Sequence, residues 1–128
     1  MTTFYHYTCD HGRAALGDDG TLSALTMRRP FTTPLPWWMA YVWLTDMATP
    51  MREALGLTAN FTACDRTRYR YRVVDVSTVQ PWTTVARNLS RDARDLLEAS
   101  PGARPKHWYV SGDPVPVTFD PHRKAVRR

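Results

Sequence analysis

At 128 residues, 43% hydrophobic and 23% charged, the chain has the length and composition of one globular domain, which excludes a fibrous or disordered protein. No stretch reaches the about 18 apolar residues of a membrane helix, and none follows a basic leader, so the chain reads as cytoplasmic with no membrane partner. A net charge of +5 favours polyanionic partners, DNA or RNA among them. Residues 1–121 read as a single domain, and the basic tail from His122 to Arg128 as a disordered extension. The two cysteines, Cys9 and Cys64, have no Cys or His at ligand spacing, so no metal site is expected. Nothing in the sequence bears on oligomeric state.

Patterning begins at Phe4-Tyr5-His6-Tyr7-Thr8-Cys9, where aromatic and polar residues alternate. This period of two predicts a half-buried strand, with Phe4, His6 and Thr8 on one face and Tyr5, Tyr7 and Cys9 on the other. A histidine and a hydroxyl two residues apart on a rigid strand can form a small polar site. The alternative is a histidine hydrogen-bonded within the core. Asp10 is a candidate N-cap for a helix over 11–19, and Asp18-Asp19-Gly20 carries a turn signal with Gly20 free to take positive φ.

From Thr26 to Trp38 three prolines rule out a helix or central strand, leaving a long loop. Its Arg28 and Arg29 can hold phosphates while Phe31, Trp37 and Trp38 stack on flat rings; alternatively the tryptophans cover a core edge and the arginines are solvated. Tyr41-Val42-Trp43-Leu44-Thr45 is a strand by propensity, and Thr49-Pro50 to Gly56 frames a helix. Between Thr67 and Val76, Arg68, Arg70 and Arg72 alternate with Tyr69, Tyr71 and Val73. That arginine face is either solvated or a stripe able to track a phosphate backbone. Gln80-Pro81-Trp82 interrupts the pattern. A helix is then expected from Thr83 or Thr84 to about Ala99, with Val85, Leu89, Ala93, Leu96 and Leu97 inward and Arg91–Asp95 and Arg94–Glu98 pairs outward. The last segment is a strand over Pro105–Ser111, a turn at Gly112-Asp113-Pro114, and a short strand at Val115-Pro116-Val117.

Tyr5-His6-Tyr7-Thr8, the short helix after it and Leu22 resemble the opening of ADP-ribosyltransferase-like domains, in the branch with a Tyr-His-aromatic-Thr first strand that includes DNA-targeting toxins. The order of later elements, to about residue 117, is similar to the same family. The resemblance implies an α+β fold, an ADP-ribosyltransferase-like split β-sandwich with short flanking helices, around a cleft that takes NAD as substrate. It implies that His6 holds the ribose and amide end and that Trp43, or Tyr41 on the same face, stacks on nicotinamide. Tyr7, Thr8 and Thr45 complete the NAD-binding set. Arg28, Arg29, Arg68, Arg70 and Arg72 are the candidates for a nucleic-acid or acceptor surface.

The terminal segment is similar to the family's paired last strands, the first of which opens with the catalytic glutamate. Here Lys106 or His107 stands in that place. A carboxylate there stabilises the positive charge that develops as nicotinamide leaves. Asp46, Asp113 and Glu98 are the candidate substitutes, and His107 is a residue type able to act as a base near neutral pH. The implied activity is transfer of ADP-ribose from NAD to a nucleic-acid or protein acceptor. The alternative is an inactive module of the same fold that binds NAD, ADP-ribose or nucleic acid. RNA 2′-phosphotransferases share the fold and use Arg and His in place of the glutamate, but they carry a second domain.

Overall fold

The computed structural model describes residues 2–23, 41–51, 54–55, 66–88, 91–98 and 102–121. In chain order the elements are β1 (Tyr5–Thr8), α1 (Asp10–Leu16), β2 (Asp19–Leu22), β3 (Val42–Thr45), β4 (Tyr69–Val73) and β5 (Val79–Pro81). There follow α2 (Trp82–Ala86), α3 (Arg91–Glu98), a single 3-10 turn (Pro105–His107), β6 (Trp108–Ser111) and β7 (Val115–Phe119). The strands form one antiparallel sheet in the order β2-β7-β4-β1-β3-β6-β5. The domain is therefore α+β and mostly sheet. No helix among the described residues is long and apolar enough to cross a membrane.

The first strand sits in the middle. β1 pairs with β4 from Tyr5↔Arg72 to Thr8↔Tyr69, but meets β3 at one register position, Tyr5↔Thr45. The sheet is thus two fully laddered blocks, β2-β7-β4-β1 and β3-β6-β5, joined at a single residue pair. Two cores form, because side chains alternate between faces along every strand, and the first of them draws on both blocks. One core gathers Val42, Leu44, Tyr71, Val73, Val115 and Val117, with Phe4, Leu16 and Phe119 against it. The other stacks Trp82, Val85 and Ala86 of α2 on Trp108 and Val110 of β6, with Tyr41 and Trp43 at its margin. Burying side chains of this size contributes about 1.5–3 kcal/mol each. Along β4 the expected alternation holds: Tyr71 and Val73 are buried, and Arg72 is exposed.

Three expectations are corrected by the packing. First, α1 is shorter than 11–19. Cys9 is its N-cap, with no side-chain cap bond, and Asp10 is already helical. The stop falls at Gly17, which has φ +67° and donates to the Arg13 carbonyl, while the Arg13 guanidinium donates to the Gly17 carbonyl and to Asp18. Asp19 and Gly20 then pair with Thr118 and Val117, so they are strand and not turn.

Second, the helix expected to reach about residue 99 is two helices, and Trp82 opens the first of them. The Trp82 indole N–H donates to Glu98 Oε2 at 2.8 Å. Along one straight helix those residues would stand about 24 Å apart at 1.5 Å per residue, so the chain must turn back between them. Pro81 closes β5, which it can do because β5 is an edge strand.

Third, the last two strands do not pair with each other. β6 lies between β3 and β5, and β7 between β2 and β4. At the turn, Ser111 Oγ donates to the Asp113 carbonyl and accepts from the Asp113 N–H. The chain then crosses to the other block, where Val115 and Val117 are buried. Arg28, Arg29, Trp37, Trp38, Cys64 and the tail 122–128 lie outside the described residues, as do residues 52, 53 and 56 of the expected helix ending at Gly56. Of that helix, a bond from the Leu55 N–H to the Met51 carbonyl at 3.0 Å is described.

Candidate functional site

Where β1 and β3 stop pairing, side chains take over the bridging. The His6 Nδ1 lies 3.0 Å from the Trp43 carbonyl oxygen, and the Tyr7 hydroxyl donates to the Met47 carbonyl at 2.7 Å. A carbonyl only accepts, so Nδ1 carries the proton, and a neutral imidazole then has Nε2 as an acceptor. Burial is the main cause that pushes His6 below its ordinary pKa; the Trp43 bond opposes this and the Arg66 charge adds to it. Burial likewise pushes the Tyr7 phenol up. Both groups are held uncharged.

Beside this bridge lies a cavity of ≈ 90 Å³. Tyr5, Tyr7, Trp43 and Trp108 supply rings to its wall, His6, Thr45 and Arg66 supply polar groups, and Leu44 and Leu55 fill the rest. Drug-sized ligands occupy pockets of about 300–1,000 Å³, so this one suits a single ring or a sugar edge, with the remainder of a larger ligand outside. His6, Tyr7, Trp43 and Thr45 are thus brought together. Thr8 is not among the lining residues; it packs against Gly12, where an added Cβ would overlap its Oγ1. Tyr41 packs on the second core instead.

At the end of the β3–β6 ladder, next to Thr45 and Trp108, a second group of side chains converges. Thr45 faces Trp108 in the β3–β6 register, which sets Asp46 beside His107. Asp46 Oδ1 lies 2.8 Å from His107 Nδ1, and the Tyr109 hydroxyl reaches Asp46 Oδ2 at 3.4 Å. Burial, and secondarily the Asp46 charge, push the Tyr109 phenol up. Thr45 Oγ1 donates to the His107 carbonyl at 2.8 Å and accepts from the Met47 N–H. The carboxylate at the start of β6 is therefore supplied across the ladder from β3. Glu98 instead holds the buried Trp82 indole, and Asp113 is exposed in the β6–β7 turn.

The arginine face divides. Arg70 donates to the Ala48 carbonyl at 2.7 Å and to the Asp120 carbonyl, pairs with the Asp120 carboxylate at 3.1 Å, and covers the Tyr5 ring. Its side chain is 15% exposed, so it is a tie within the fold and not a solvated or acceptor-facing cation. Arg72 is exposed, and Arg68 makes a long 3.6 Å pair with an exposed Asp10.

Sequence reasoning missed Tyr5, Leu44, Leu55, Arg66 and Trp108 as lining residues. Tyr5 shares a face with Tyr7 and so was within reach of the alternation; the other four depend on strand pairing and loop placement. Among the described residues no group of three or more His, Cys, Asp or Glu could hold a metal ion. Comparisons with family models, with curated proteins and with solved structures return no match.

Proposed function

We propose that the chain is an ADP-ribosyltransferase-like domain that binds NAD where its sheet parts and transfers ADP-ribose to a nucleic-acid or protein acceptor. The observation that carries this reading is a neutral His6, its Nδ1–H spent on the Trp43 carbonyl, beside a cavity walled by Tyr5, Trp43 and Trp108. His6 Nε2 then accepts from a ribose hydroxyl. The ring faces suit a nicotinamide, whose positive charge in NAD draws it to aromatic π-systems. The two-block sheet supports the split character of the family fold.

The reading has one departure, the missing strand-start glutamate, and this favours a second reading as an inactive NAD or ADP-ribose module. One titration separates the two. Calorimetry of NAD into the protein, with nicotinamide release followed in the same sample, is expected to give both heat and release. His6→Ala is expected to abolish both while the circular dichroism spectrum stays unchanged. Heat without release selects the module. Unaltered NAD behaviour in the folded His6→Ala variant would remove the site assignment.

A further inference from the structure

We propose that Asp46 and His107 form the base of this site: His107 takes the proton of the attacking nucleophile, and Asp46 is its positioning residue. This rests on the NAD reading above and deepens it, since the base comes from a position where the resembling family carries an acid. A carboxylate 2.8 Å from Nδ1 accepts the Nδ1–H, which fixes the tautomer and turns Nε2 into the basic nitrogen. Nε2 has no hydrogen-bond partner among the described residues. The two side chains are 30% and 24% exposed, so the pair is reachable from solvent.

The imidazole is fixed from several directions. The His107 carbonyl accepts from Thr45 Oγ1, its N–H donates to the Arg104 carbonyl at 2.9 Å, and the second oxygen of Asp46 is met by Tyr109. Thr45 and Trp108 both line the cavity and face each other in the ladder; Asp46 follows one and His107 precedes the other. The pair stands at the end of the β3–β6 ladder, one residue from each of these lining residues though not itself in the lining, and a nucleophile reaching a bound ribose is proposed to pass there.

With water as the nucleophile, its proton goes to His107 Nε2 and its oxygen lone pair forms the bond to ribose C1′. The C1′–N bond breaks, and its electron pair remains on the nicotinamide nitrogen, which leaves neutral. The products are ADP-ribose, nicotinamide and an imidazolium that returns its proton to solvent.

The test is NAD hydrolysis by the full chain, with NAD affinity measured alongside by calorimetry. His107→Gln and Asp46→Asn are expected to lower kcat by about 100-fold or more with NAD affinity unchanged. Asn keeps the shape and the acceptor oxygen of Asp46, which guards against loss of fold. His107→Gln is expected to change the pH–rate profile of the hydrolysis. Added imidazole is expected to restore turnover to His107→Gly, a rescue that a purely structural histidine would not permit. Wild-type rates and pH profile in both variants would overturn the base assignment and leave the NAD reading intact. NAD binding without hydrolysis by the wild type would overturn the base assignment and select the inactive module. Absence of NAD binding by the unsubstituted chain would overturn both.

Discussion

Burial commits His6 to its neutral form, and acid reveals the cost. Its pKa is lowered in the fold from the ordinary 6.5, so below that pH the unfolded chain binds a proton that the folded chain resists. Its contribution to stability is therefore full above pH 6.5 and is lost as pH falls from there toward the lowered value. Urea denaturation at about pH 7.5 and 5.5 is expected to show a drop in midpoint that His6→Gln, which retains a donor for the Trp43 carbonyl, lacks. Asp75, lowered by its bonds to Ser77, acts only nearer its ordinary 3.8 and does not confuse the window. An equal drop in His6→Gln would place the acid sensitivity elsewhere. At this scale the sequence was informative about β1: strict alternation exposed His6 and Tyr7 as strand residues of opposite face. It held no sign of Arg66, whose place at the cavity depends on residues distant in the chain.

At the scale of elements, α1 leans so closely on β1 that position 12 admits only a hydrogen. A Cβ there would overlap Thr8 Oγ1 and approach its Cβ and Cγ2 at 2.9 Å. Gly12→Ala is accordingly expected to destabilise the domain by about 1–3 kcal/mol despite Ala's better helix propensity, read as a lower urea midpoint. A neutral or stabilising effect would mean that helix and strand part more easily than the contact suggests. Local signals located β1, β3 and β7 to within two residues and β4 and β6 to within three, because β-branched and aromatic alternation is a property of the segment itself, but they gave no strand at β2 or β5. They failed where tertiary contacts decide. The apolar spacing from Val85 to Leu97 reads as one helix, whereas the structure has two, with Trp82 and Glu98 bonded across them. Likewise Gly112-Asp113-Pro114 signals a turn but not that β6 and β7 enter different blocks. Thr45 and Trp43 were legible as strand residues, whereas the meeting of Asp46 with His107 required the β3–β6 register.

For the whole molecule, the positive charge counts for less as a nucleic-acid surface than its number suggests, because Arg70 is spent on Asp120 and Ala48. If a nucleic acid is the acceptor, Arg72→Ala is expected to reduce the slope of log affinity against log salt by about one, measured with a short duplex at several salt concentrations. Arg70→Ala should instead lower the urea midpoint, since it leaves the partly buried Asp120 carboxylate without its cation. Equal effects of the two substitutions on the salt slope would contradict this division. The central place of β1 also dictates a folding order. During synthesis β1 finds its full ladder only when residues 69–73 arrive, and β4 in turn waits for residues 117–119. Both edges of an aromatic strand stay open through most of synthesis, and nearly every ladder closes a long loop, which slows folding and favours misassociation. A nascent chain of this design stays open to misassociation until β7 slots between β2 and β4.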